Sequence, residues 1–226
     1  EVAVNDSTYM VGPGDELAVS IFGTKFYTFN APVSSDGTVV LPELGTVYVR
    51  HATLRDVRTK IRTLLGADVR GAEIVVSLAR ARQVKVTVSG AVKTPGIVEL
   101  PATARVSEAL DVAGGALKDT TALRNITVRR SNGSTVRADL LRYYRMGDVD
   151  ANPFVSGGDV IFFPPKDRIV GVFGAVGHEG RVDFVEGERL NDLIDVCQGF
   201  RSQAFLDSVE VVRFQEDHQS TRRFFL

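Results

Sequence analysis

Arg105-Val106-Ser107-Glu108-Ala109-Leu110-Asp111-Val112-Ala113-Gly114-Gly115 returns 84 residues later as Arg189-Leu190-Asn191-Asp192-Leu193-Ile194-Asp195-Val196-Cys197-Gln198-Gly199. Both stretches open on arginine, carry an Asp-Val pair and end on glycine. Working outward, Val86-Thr87-Val88-Ser89-Gly90-Ala91-Val92 matches Val170-Gly171-Val172-Phe173-Gly174-Ala175-Val176, and Gly96-Ile97-Val98 matches Gly180-Arg181-Val182. Val128-Arg129 matches Val212-Arg213. Laid against each other without a gap, residues 86–142 and 170–226 share 13 identities in 57 pairs. Unrelated sequences would share about three or four, at ~6% chance identity per pair. Apolar character is kept where identity is not, as in Leu110 and Ile194. One supersecondary unit has been used twice.

Each copy has the same plan. Val84–Val92 alternates apolar and polar residues, the pattern of a half-buried strand. Lys93-Thr94-Pro95-Gly96 is a turn, and Gly96–Leu100 returns as the second strand of a hairpin. A short helix follows, with Ser107 placed to cap it, Val106, Ala109, Leu110 and Ala113 on its apolar face, and Gly114-Gly115 to stop it. Asn132-Gly133, between the strands Asn125–Arg130 and Thr135–Asp139, is a strong short hairpin signal. The strand Asp159–Phe163 closes the unit. Hairpin, helix, hairpin and final strand describe a β-grasp domain. The second copy has no counterpart of that last strand and is read as cut short.

Residues 1 to about 83 are not part of the repeat. Leu17, Val19 and Ile21 alternate with Ala18 and Ser20 in a strand. Ser35-Asp36-Gly37 turns into the strand Thr38–Leu41, and Thr46–Arg50 is another. Thr53-Leu54-Arg55-Asp56 has the form of a capping box. Leu54, Val57, Ile61 and Leu64 then lie on one helical face, with Arg55, Arg58, Thr59 and Arg62 opposite. Glu73–Ala79 closes this part. The expected fold class is α+β, with modules at 1–83, 84–166 and 167–226, the last incomplete.

Tyr9-Met10-Val11-Gly12-Pro13-Gly14-Asp15-Glu16-Leu17-Ala18-Val19 resembles the opening signature of the outer-membrane polysaccharide export family, the Wza-like translocons. Val33-Ser34-Ser35-Asp36-Gly37-Thr38-Val39 and Leu41-Pro42-Glu43-Leu44-Gly45 resemble that domain's middle strands. The repeats look like the soluble-ligand-binding β-grasp (SLBB) domains that follow it, and Asn152–Ile161 resembles the usual end of one. The specificity lies in the order of modules more than in any tetrapeptide. Physically, Gly12-Pro13-Gly14 makes a tight turn that the Asp15 carboxylate can cap, and Gly157-Gly158-Asp159 repeats the device. The resemblance implies a homo-oligomeric ring in the periplasm through which finished polysaccharide leaves, docked on an inner-membrane export partner. It also implies a lipid anchor and a membrane helix, neither of which lies within these residues.

Composition excludes several classes. Hydrophobic residues are 44% and charged residues 24%, too apolar for a disordered chain. A net charge of -1 gives no basic footprint for nucleic acid. No run approaches the roughly 20 apolar residues of a membrane helix. His51, His178 and His218 are scattered, without metal-ligand spacing. His178 sits in a repeat turn, and Cys197 aligns with Ala113 as a packed helix residue. No catalytic, metal or cofactor residue is expected. Contact with polymer or a neighbouring subunit is sought at Arg58 and Arg62, on the charged helix face, and at Arg142, Tyr143, Tyr144 and Arg145. That last run also reads as a short helix burying Leu140, Leu141 and one tyrosine. Two other readings stand beside the channel. One is a glycan-binding or scaffolding protein that forms no channel; the other is an enzyme acting on polysaccharide, which would need paired carboxylates.

Overall fold

The computed structural model describes residues 4–23, 26–43, 45–68, 71–214 and 220–226. The chain runs β1 (Glu16–Phe22), β2 (Phe26–Pro32), β3 (Thr38–Leu41), β4 (Gly45–Tyr48), α1 (Leu54–Asp68) and β5 (Glu73–Arg80). It continues through β6 (Gln83–Gly90), β7 (Gly96–Pro101), α2 (Val106–Val112), β8 (Ile126–Arg129), β9 (Thr135–Ala138), α3 (Leu140–Met146) and β10 (Val160–Phe163). The last part holds β11 (Ile169–Val172), β12 (Gly180–Asp183), α4 (Leu190–Val196), β13 (Glu210–Phe214) and β14 (Thr221–Phe225). Helices and strands are mixed along the chain, an α+β protein as the patterning implies.

In the N-terminal part β1 lies between β2 and β5, antiparallel to both, and β3 pairs with β4. The alternation read in β1 is real: Leu17, Val19 and Ile21 are buried against Val57, Ile61 and Leu65 of α1 in one cluster. The capping box forms. The Thr53 N–H donates to Asp56 Oδ2 at 3.0 Å and the Asp56 N–H to Thr53 Oγ1 at 3.2 Å, so two helix-end donors are satisfied reciprocally. Several details differ from expectation: Leu65 is the fully buried residue in the last turns of α1, and Leu64, expected on that face, is only partly buried. β2 is a full strand of seven residues where no strand was read, and β4 starts at Gly45 rather than Thr46. Leu44 and His218 lie outside the described residues.

In the first copy five strands form one sheet in the order β7-β6-β10-β8-β9. β10 runs parallel to β6 and antiparallel to β8, joining the two hairpins, and buries Ile161 and Phe163 completely. α2 packs Val106, Ala109 and Leu110 on the same core. Ser107 is not its cap. The helix starts two residues earlier than a Ser107 cap would give, after Arg105, whose N–H donates to the Glu108 carboxylate at 2.8 Å. Ser107 is buried inside the first turn and exchanges hydrogen bonds with the Asn152 amide. Gly90 is obligatory at φ 89°, since a Cβ there would meet the Phe163 carbonyl oxygen at 2.1 Å.

The second copy repeats the first in detail. α4 has the same length as α2, the Arg189 N–H donates to Asp192 at 2.8 Å, and Gly174 repeats the positive φ of Gly90. The bridges Val92–Ala116 and Val176–Phe200 are equivalent. The gapless pairing ends at Arg129 and Arg213, however. Arg129 pairs with Thr135, but Arg213 pairs with Arg222, so five residues separate the partners in one copy and eight in the other. Among the described residues no strand joins β11 to β13, which leaves two separate hairpins. Val212 is 50% exposed where its counterpart Val128 is fully buried. The buried cluster of this copy shrinks to Val176, Val182, Leu193 and Cys197.

Candidate functional site

Where the N-terminal sheet gives way to the first repeat, one carboxylate gathers both. Asp15 is fully buried at the end of the Gly12-Pro13-Gly14 turn. It accepts from the Gly12 N–H at 2.8 Å, the cap that the motif suggested. It also accepts from the Tyr9 hydroxyl at 2.6 Å, the Arg82 N–H at 2.8 Å and Arg82 Nη1 at 2.8 Å. Burial raises the Tyr9 pKa well above the ordinary phenol value and the Asp15 carboxylate adds to it, so the hydroxyl remains a donor. Arg82 lies between β5 and β6, and its guanidinium stands over the Tyr9 ring at 5.8 Å. Asp159 repeats the arrangement, taking the Ser156 N–H at 2.7 Å and Arg130 Nη1 at 2.5 Å.

Beside Arg82 opens a cleft of about 780 Å³ between the N-terminal part and the first repeat. Its walls include Tyr9, Arg82, Arg105, Tyr143 and Phe154. The Arg105 guanidinium lies on the Phe154 ring at 3.9 Å from the centroid, held by Nη1 bonds to the Val149 and Asn152 carbonyls at 3.0 and 2.5 Å. Among the described lining residues Glu108 is the only carboxylate, and it is turned to the Arg105 N–H. The cleft therefore offers aromatic faces and guanidinium edges. Its described residues do not include the carboxylate pair typical of acid–base cleavage of a glycosidic bond.

The residues singled out in the sequence are dispersed. Arg58 donates through Nε to the Val76 carbonyl at 2.8 Å and through Nη1 to Asp6 at 2.7 Å; Arg62 donates to the Ile74 carbonyl at 3.0 Å. Both lie along the free edge of β5. Arg142 pairs with Asp148 at 3.1 Å, and its N–H caps α3 through Asp139. Arg145 points to the Val196 carbonyl at the end of α4. Tyr143 packs on the first-copy core and lines the cleft, while Tyr144 is exposed beside it at 5.2 Å. Only Tyr143 reaches the cleft. Sequence reasoning missed Tyr9, Arg82, Arg105 and Phe154 as a group. The one signal at hand was Arg105, an arginine kept in both copies.

His51 and His178 are exposed and far apart in sequence, and the described residues contain no group of three metal-ligating side chains. Cys197 is fully buried, as its alignment with Ala113 implied, and burial raises its thiol pKa.

Residues 3–89 match the family described as polysaccharide biosynthesis/export protein, and residues 85–138 match the SLBB domain. The two matches meet just after Arg82, at the cleft. Residues 3–138 thus carry an export-family domain followed by an SLBB domain. The chain is 27% identical over 184 residues to the polysialic acid transport protein KpsD of Escherichia coli, covering 79% of this chain and 32% of that protein. It is 28% identical over 173 residues to the EPS I polysaccharide export outer membrane protein EpsA of Ralstonia solanacearum, covering 74% of this chain and 44% of EpsA. The EpsA of Ralstonia nicotianae is 30% identical over 165 residues, or 71% and 42% of the two chains. The chain thus spans about a third of KpsD and less than half of either EpsA. No helix among its described residues is long and apolar enough to cross a membrane.

Proposed function

We propose that the chain is the periplasmic part of an outer-membrane exporter of capsular or extracellular polysaccharide. It works as a passive conduit with no catalytic cycle. Copies assemble into a ring around the moving polymer, and the ring docks on an inner-membrane export partner. Modules at 1–83, 84–166 and 167–226 stack along the export path. Contacts to polymer or to the next subunit fall at Arg58, Arg62, Arg142, Tyr143, Tyr144 and Arg145, of which Tyr144 is 54% exposed. The observation that carries this reading is the order of family matches, export domain and then SLBB domain, in relatives named for polysaccharide export or transport. A conduit binds its cargo weakly and at many places, since polymer must enter and also leave. The full-length protein, extracted in mild detergent and imaged by negative-stain electron microscopy, should show rings with an axial opening. Dispersed monomers would overturn the conduit. The junction cleft would then favour the second reading, a glycan-binding protein that forms no channel.

A further inference from the structure

We propose that the cleft between the export domain and the first β-grasp copy binds a carboxylate-bearing stretch of polysaccharide. The inference rests on the export reading for its ligand class, and on geometry for everything else. The volume, about 780 Å³, falls within the roughly 300–1,000 Å³ of small-ligand clefts. Two cations from different modules face it. Arg82 spends Nη1 on Asp15 and on the Met10 carbonyl, and Arg105 spends Nη1 on two carbonyls. The Nε and Nη2 groups of both arginines make no hydrogen bond among the described residues. Arg82 is neutralised by Asp15, but no carboxylate pairs with the Arg105 guanidinium among the described residues. The planar donor edge of an arginine matches a carboxylate, and this one is already fixed in place by the Phe154 ring and two carbonyls. Tyr143 and Phe154 supply apolar ring surface for the C–H faces of a sugar. The ligand is thus an acidic saccharide segment, and the site discriminates against a neutral one of the same size.

The test uses the 226-residue chain, isotope-labelled for amide NMR. It is titrated with α-1,4-linked trigalacturonate, and with maltotriose as the neutral comparison. Trigalacturonate should shift amides at Tyr9, Thr103, Arg105 and Ser156 with millimolar affinity, and maltotriose should bind at least about tenfold more weakly. Arg105→Gln should weaken trigalacturonate by about tenfold or more. Ser156→Trp fills the cleft from an exposed position without removing a packed group, so it should abolish the shifts and leave the thermal midpoint unchanged. Absence of shifts, shifts elsewhere on the chain, or equal shifts with maltotriose would each overturn the site. Loss of export on deletion of the gene, together with rings in the microscope, would leave the export reading standing even then. Binding here by a protein that is dispensable for export would sink that reading instead.

Discussion

Four donors converge on the Asp15 carboxylate, from Tyr9, the Gly12 backbone and both ends of Arg82. Removing the carboxylate would leave the Tyr9 hydroxyl and the Gly12 and Arg82 N–H groups without that acceptor, and Arg82 Nη1 with the Met10 carbonyl and no counter-charge. Breaking one side of a buried pair costs more than the pair contributes, because a stranded charge stays behind. Asp15→Ala should therefore lower stability by about 3–5 kcal/mol, read from the urea midpoint of unfolding. Asp15→Asn keeps one acceptor oxygen and should lose less. Equal losses would mean that the shape of the turn, and not the charge, is what matters. The sequence motif pointed to a capped turn at this aspartate, and the Gly12 bond is that cap. It gave no hint of Arg82, which lies 67 positions away and is brought in only by the path of β1 and β5.

Arg58 and Arg62 show how an element protects itself. β5 is an edge strand, and exposed edge carbonyls invite pairing with other chains. α1 lays these two arginines along that edge and satisfies the Val76 and Ile74 carbonyls. The double variant Arg58→Ala/Arg62→Ala should lose about 1–2 kcal/mol in thermal unfolding and should self-associate in sedimentation as the β5 edge opens. A stable, monomeric double variant would argue against edge protection. Elements with a strong period were legible in the sequence. β1 alternates, α1 carries an apolar stripe and a capping box, and α2 and α4 announce each other through the repeat. β2 was not legible, because as an edge strand it leaves Phe26 and Tyr27 exposed and buries only Ala31, so no buried alternation marks it. The cap of α2 was misread for a related reason. Ser107 is a favourable cap residue by type, but Asn152, 45 positions on, draws it into the first turn. The cleft was the least legible feature, since its walls come from segments spread over residues 4–156 and share no period.

At the scale of the whole molecule, the two β-grasp copies are joined by one fully enclosed arginine. Arg124, before β8, donates through Nε to Asp139 at 2.8 Å, through Nη1 to the Asp183 carbonyl at 2.8 Å, and through Nη1 and Nη2 to Glu188. Glu188 is itself fixed by the Val185 N–H at 3.0 Å. Beside them, burial raises the pKa of the Asp183 carboxyl, with Asp139 adding to it against the opposing pull of Lys166 and Arg124. A carboxyl raised on folding contributes its stability in full below the unfolded value, roughly pH 4, and loses it as pH rises through the folded value. At neutral pH its charge is a cost. Asp183→Asn, which keeps an oxygen for the Leu123 N–H, should therefore raise the thermal midpoint at neutral pH, with the gain disappearing below roughly pH 4. A gain independent of pH would place the effect elsewhere. The arginine has a larger consequence. Among its described residues the second copy buries a small cluster of its own, with Leu141 of α3 packed against it from the first copy. Its order thus depends on Arg124 more than the first copy's does. Glu188→Gln halves the charge opposed to a buried guanidinium, and the loss should be local. Amides of β11, β12 and α4 should exchange with solvent faster by about tenfold or more, the equivalent of roughly 1.4 kcal/mol or greater, while those of β6, β8 and β10 keep their protection. Uniform acceleration across both copies would mean that the repeats unfold as one unit, and that the clasp stabilises the whole chain without holding the second copy in place.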